Sequence, residues 1–508
     1  MATFSGIVFT RPPANGPTVP DCLPDLHLDQ VIAVLAPSDV EESQRQLFYA
    51  RARDIDEIAY RHEVFADLSS PPVRSVVDFF ADQIAVVRRH LALAAKLWHP
   101  LQRQGWVLNA MRVYAESVTN LRSDLDGADL ASRGLRRLRE FIAEYVDGEE
   151  FQALRRDTKS VREALSQIRY TVHITGLHVD VDRFADQPDY TAQLTELFDR
   201  FRQDNGRDYH VRIPDYPDMN HVEEQVLDRV AKLYPEKFAA LADHCVRYGE
   251  FFSPTLDRFQ REIYFYLSYL DFMGRFTAAG LRFCYPTMTP RFSGVYAEEA
   301  FDLALATKQL SDQESPICND FRLSGDERII IVTGPNQGGK TTFARSIGQI
   351  FYLAALGCPV PAARAALLLP DQVYTHFERQ EHISTLHGKL DDELVRIHDV
   401  LSRVTDRSII VMNESFSSTT VDDAVQISTD VLYRVVDTGC ACVYVSFLDE
   451  LADLHPACVS MVGGVAADDP TVRTFRFTRR PADGLAYAEA LADKYGLGRE
   501  ILRRRVIR

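Results

Sequence analysis

Apolar residues recur at helical spacing through the first part of the chain. From about Leu26 to Ser160 they fall three or four apart, as in Leu91, Ala94, Leu97 and Leu101, or Leu135, Leu138, Phe141, Ile142 and Tyr145. Arg and Glu fill the opposite faces, so this stretch predicts amphipathic helices of a bundle or lever. The period shortens to two over residues 168–182, where β-branched residues alternate on both sides of Thr175-Gly176, which predicts a hairpin. Tyr209–Ile213 reads as a further short strand, so 168–215 reads as a β-rich tip on a helical shaft. Helices are expected again over His221–His244 and Pro254–Ala279, the latter with a stripe of Phe259, Ile263, Tyr266, Leu267, Leu270 and Met273.

From Arg328 the pattern changes to strand, loop and helix. Ile329–Val332, Ile409–Met412 and Val443–Ser446 are short runs apolar on both faces, as in strands covered on both sides. The expected fold class is therefore α plus α/β: a long helical bundle with a small β-rich tip, then a domain with a mixed, largely parallel sheet. The expected boundaries are a flexible arm over 1–24, a helical domain over 25–300 with its tip at 168–215, and the α/β domain over 301–508.

Composition narrows the function. The 508 residues need more than one core, and 46% hydrophobic with 26% charged is ordinary globular usage. A net charge of −16 argues against non-specific coating of nucleic acid, which would need a local basic lining. Arg88, Arg89, Arg112, Arg136, Arg137 and Arg503–Arg505 are candidates for one. The eight scattered cysteines form no CxxC pair and read as reduced thiols of a cytoplasmic protein. No secretory leader is read at the start, and Gly357, Pro359, Pro361 and Arg364 break the longest apolar stretch, so no membrane span is expected.

The strongest chemical signal is Gly334-Pro-Asn-Gln-Gly-Gly-Lys-Thr341, which fits GxxxxGKT between an apolar strand and a helix. Gly334, Gly338 and Gly339 let backbone approach phosphate oxygens. The N–H groups of Pro335's followers, Asn336 and Gln337, and of the helix start through Thr342 face the anion. Lys340 is placed to neutralise β- and γ-phosphate charge, and Thr341 to offer a hydroxyl to Mg²⁺. A second strand ends in Asn413-Glu414. Glu414 is the candidate general base, and Asn413, where an Asp is expected, would reach the metal through a water. Ser418, Thr419 and Thr420 precede a helix and could cap it or meet a phosphate across a protomer interface.

With those residues in view, the sequence resembles the MutS family of DNA mismatch-repair ATPases. Thr333–Thr342 looks like that family's phosphate loop, Leu356–Ala362 like its following Val-Pro-Ala turn, and Val373–Phe377 like the next strand. Cys318-Asn319-Asp320 is similar to the segment that reaches the nucleotide base, which implies a base-side contact for Asn319. Ile58–Phe65 and Phe259–Phe272 resemble the family's helical core and lever, and the tip its clamp. The mismatch-reading and connector modules are expected to be missing, Asn413 stands for the family's Asp, and Phe447 stands for its switch His. The resemblance implies a homodimeric ATP- and Mg²⁺-dependent clamp on mismatched or branched DNA, with hydrolysis slowed by Asn413 and Phe447. The alternative is a clamp of the same type on a ribosome or protein complex.

Overall fold

A computed structural model describes residues 4–11, 16–176, 178–185, 219–312, 314–378, 388–469 and 471–482. The helices come first: α1 (Leu28–Leu35), α2 (Glu42–Arg45), α3 (Ile55–Leu68), α4 (Pro71–Lys96), α5 (Pro100–Asp126), α6 (Arg133–Asp147) and α7 (Glu149–Ser166). The hairpin β1 (Tyr170–Thr175) and β2 (His178–Arg183) follows, then α8 (His221–Leu233), α9 (Pro235–Arg247) and α10 (Pro254–Ala278). The α/β part holds β3 (Thr287–Thr289), β4 (Val295–Ala300), α11 (Leu303–Ser311), β5 (Asn319–Leu323), β6 (Ile329–Thr333) and α12 (Lys340–Ala355). It continues with β7 (Arg364–Leu368), β8 (Val373–Phe377), α13 (Lys389–Arg403), β9 (Ile409–Asn413) and α14 (Val421–Thr438). β10 (Ala441–Val445), β11 (Cys458–Val465) and β12 (Arg473–Arg479) complete it.

The chain forms two compact units that do not follow chain order. One comprises residues 1–4, 72–129 and 137–260, the other 5–71, 130–136 and 261–508. The boundary expected near residue 300 is therefore replaced: α1 to α3 and most of α10 belong with the α/β elements, because their apolar faces are buried there.

In the first unit α5, α7 and α9 pack on one another. Tyr114 sits at their centre, fully buried, with ring contacts to Phe151, Phe251 and Phe252 and its hydroxyl 2.8 Å from that of Tyr145. Pro100 opens α5 at a position where a missing N–H costs nothing. Asn220 and Glu223 form a reciprocal capping box on α8. The hairpin appears as expected, antiparallel from Tyr170↔Arg183 to Thr175↔His178, with Gly176 turning at φ +64°. The Tyr209–Ile213 strand lies outside the described residues, as do Arg503–Arg505.

The second unit is built on a six-stranded sheet of order β12-β11-β6-β10-β9-β8, parallel except for β12. Alternate residues of its central strands face opposite ways. Ile329, Ile331, Ile410, Met412, Cys442 and Tyr444 pack against Ile397 and Val400 of α13 and Leu432 and Val435 of α14. On the other face Val411 lies against α12, whose Gly348 has room for no side chain between Leu26 and Val411. A smaller sheet, β3-β7-β4-β5, adjoins in sequence and carries Asn319.

Within the loose arm expected over 1–24, residues 6–8 are instead held by this unit. Ile7, Val8 and Leu26 are fully buried. The carboxylate of Glu262 accepts the N–H groups of Ile7 (2.5 Å) and Val8 (3.1 Å). Tyr60 and Tyr266 donate to the carbonyls of Gly6 and Ile7 at 2.7 and 2.6 Å, and Arg61 donates to that of Val8 at 2.9 Å. Gly6 is required by this seat: it sits at φ +136°, and a Cβ there would lie 2.5 Å from the Glu262 carboxylate. The segment has no periodicity because side chains distant in sequence satisfy its backbone, where a ladder of its own would otherwise do so. Among the described residues no helix is long and apolar enough to cross a membrane, and all eight cysteines are free.

Candidate functional site

The glycine-rich loop leaves the C-terminal end of β6, an inner strand of the parallel sheet, and opens α12. Crevices outside the C-terminal ends of parallel strands are where such sheets bind ligands. Gly334 takes φ +118°, and a Cβ on it would stand 2.9 Å from the backbone nitrogen of Gly463 on β11. Gly339 caps α12 in the left-handed conformation, and Gln337 adopts it as well. The loop is closed by the Gly338 N–H donating to the Pro335 carbonyl at 3.1 Å.

Lys340 is 5% exposed. Its ammonium donates to the Gly334 carbonyl at 3.0 Å and to Asn336 Oδ1 at 3.1 Å, both neutral acceptors. Burial pushes its pKa down, opposed by the charges of Glu414 and Asp449. Desolvating an ammonium without an anionic partner is expensive, so the site is electrostatically incomplete and suited to an anion. Thr341 donates its hydroxyl to Asn413 Oδ1 at 2.7 Å, so the loop and the end of β9 are joined.

A cavity of about 490 Å³ opens over this loop. Gln337 to Phe343, Glu414, Asn319 and Phe475 are among its lining residues. Pro335, Asn336 and Asn413 are not in the lining, although Asn336 and Asn413 bond to residues that are. Asn319 faces the cavity with its amide engaged: its nitrogen donates to the Phe475 carbonyl at 3.0 Å, and its oxygen accepts the Phe477 N–H at 2.7 Å. It thereby ties β5 to β12. Phe477 in turn stacks on Phe343 of α12 at 4.6 Å and 8°.

Ser418, Thr419 and Thr420 do not line the cavity. Thr420 caps α14 by accepting the Asp423 N–H, and Thr419 donates to the Asp423 carboxylate at 3.1 Å. Phe447 is half exposed just beyond β10. Residues behind the site escaped the sequence reading. Glu393 on α13 is buried, and so is His376 on β8; both bond to the turn after β9. One signal was available: Glu393 shares a helical phase with Ile397 and Val400, so an acid sits on an apolar face.

A glycine-rich loop joining an inner parallel strand to a helix, with a buried lysine inside it, defines the P-loop class of folds. Residues 330–489 match MutS domain V. The chain is 28% identical over 228 residues to the DNA mismatch repair protein MutS of Orientia tsutsugamushi (strain Boryong), covering 44% of this chain and 25% of that protein. It is 32% identical over 157 residues to the MutS of Erythrobacter litoralis, 31% of this chain and 18% of the relative. To that of Chlorobium chlorochromatii it is 25% identical over 242 residues, 47% and 28% of the two chains. The matched part thus spans between 18% and 28% of the length of these relatives. Over residues 330–489 the chain is thus similar to domain V of MutS proteins.

Proposed function

We propose that this chain is a MutS-type ATPase that binds Mg²⁺-ATP in the cavity over the 334–341 loop. The observation that carries the reading is Lys340, a buried ammonium whose partners are neutral oxygens. A phosphate would supply the missing anion, and the N-terminal N–H groups of α12 would receive it. Thr341 and Asn413, already joined, are the residues to hold Mg²⁺, the Asn through a water. Bound Mg²⁺ would supply charge neutralisation on the phosphates. Glu414, on the cavity wall, is the candidate base to orient and deprotonate the attacking water. Ser418 to Thr420, at the start of α14, would meet the γ-phosphate of a partner protomer in a homodimer.

By family likeness the macromolecular substrate is mismatched or branched duplex DNA. The net charge of −16 favours the other reading, a ribosome or protein complex. Both are tested on the purified chain. Lys340→Ala should abolish binding of a fluorescent ATP analogue, and undiminished affinity would refute the site. Binding to homoduplex, mismatched and four-way-junction DNA is then measured with and without Mg²⁺-ATP over a salt series. Tight binding with a steep salt dependence supports the DNA clamp; no binding to any of these supports the other partner class.

A further inference from the structure

The turn that follows β9 carries backbone strain. Glu414 and Phe416 adopt φ 49° and 63°, the left-handed region, although neither is glycine. Each such residue costs roughly 1–2 kcal/mol unless its surroundings hold it. Four contacts do so. The Glu414 N–H donates to the Val445 carbonyl at 3.0 Å. Ser415 Oγ lies 2.8 Å from His376 Nδ1, and Tyr444 donates to the Ser415 carbonyl at 3.4 Å. The Phe416 N–H donates to Glu393 Oε2 at 2.9 Å.

Glu393 is the unusual member. It is 2% exposed, and among the described residues its second oxygen, Oε1, is buried with no hydrogen-bond partner. An apolar residue there would continue the stripe of Ile397 and Val400 and avoid that cost. A buried, half-satisfied carboxylate is a poor way to stabilise a helix interface. It is a direct way to fix one backbone N–H two residues beyond Glu414.

The geometry points to Glu393 as the positioning residue for Glu414. By accepting the Phe416 N–H it holds the left-handed turn that presents the Glu414 carboxylate to the cavity, with His376 supporting the same turn through Ser415. What the turn needs from Glu393 is an acceptor oxygen. Burial raises the Glu393 pKa, partly offset by the Phe416 N–H, so its site favours a neutral side chain. Glutamine, which keeps the carbonyl, should therefore serve nearly as well.

This inference rests on the ATPase reading above. The test compares the 508-residue wild type with Glu393→Gln, Glu393→Leu, Glu414→Gln and the double variant Glu393→Leu/Glu414→Gln. Analogue affinity, single-turnover hydrolysis and thermal melting are measured for each. Glu393→Leu should lower the hydrolysis rate by about 30-fold or more with affinity within about twofold, since a displaced base forfeits most of its contribution. Glu393→Gln should stay within about threefold of wild type. In the Glu414→Gln background Glu393→Leu should cost nothing further, because residues that act as one unit are not additive.

Three results would overturn the inference: hydrolysis by Glu393→Leu near the wild-type rate, a further drop in the double variant, or a Gln variant as impaired as Leu. If Glu393→Leu does not fold, Glu393→Met takes its place, alone and with Glu414→Gln, with the same expected and overturning results. A wild type that binds analogue but is indifferent to Glu393 refutes only this inference, whereas a wild type that binds no nucleotide takes down both readings.

Discussion

Replacing Arg61 by Met should destabilise the α/β-containing unit far more than a surface change could. Arg61 lies on α3 with no solvent exposure. Its guanidinium donates to three carbonyls: Val8 at 2.9 Å, Ala50 at 2.8 Å and Leu356 at 2.8 Å. Those residues belong to the N-terminal segment, the loop before α3, and the turn that ends α12. Arg61 thus fastens the N-terminal segment to the far end of the helix that begins at the phosphate loop. Gly357 gives way to it, since a Cβ there would approach Arg61 Cδ to 2.9 Å.

The magnitude follows from opposing terms. Three hydrogen bonds from a charged donor contribute about 1.5–3 kcal/mol each. Methionine regains part of this by removing a desolvated cation, a term of several kcal/mol. The three carbonyls remain buried and lose their donor, at about 1–3 kcal/mol each, so after the regained desolvation the balance should be about 3–5 kcal/mol. For a unit of this size that is roughly 6–10 °C in melting temperature. Far-UV circular dichroism is the readout, because both tryptophans, Trp98 and Trp106, lie in the other unit. Arg61→Lys keeps the charge without the planar fork and should recover only part of the loss. A drop below about 2 °C for Arg61→Met would refute the reasoning.

Two further outcomes follow from the same geometry. Asn413→Asp places a charged acceptor opposite the Thr341 hydroxyl, and should lower the Mg²⁺ concentration for half-maximal ATP turnover by about tenfold, read from a Mg²⁺ titration. His62, whose Nε2 is buried without a partner among the described residues, has its pKa lowered by burial to about 4. Its unfolded state takes up a proton first, so stability should fall as pH drops from about 6.5 towards 4, and level off below. Melting at pH 7, 5.5 and 4 should show this decline reduced in His62→Gln, with a residue left by His27, which burial shifts the same way.

Local pattern was enough for much of this protein. The hairpin at 170–183, the apolar strands β6, β9 and β10, and the loop 334–341 could be read directly, because each is specified by residues adjacent in sequence. Tertiary structure decided the rest. Residues 6–8 carry no periodic signal, yet Glu262, Tyr60, Tyr266 and Arg61 satisfy their backbone, and only the fold brings those four side chains to one segment. The hold of Glu393 on Phe416 spans 23 residues and depends on α13 packing beside β9. Asn319 lines the cavity, and the fold also gives its amide two backbone partners on β12 that its neighbours in sequence do not announce. Sequence determines what each short segment can form and which groups are available for chemistry. Which distant backbone groups a buried side chain must satisfy is set by packing, because that requirement arises only once water has been excluded.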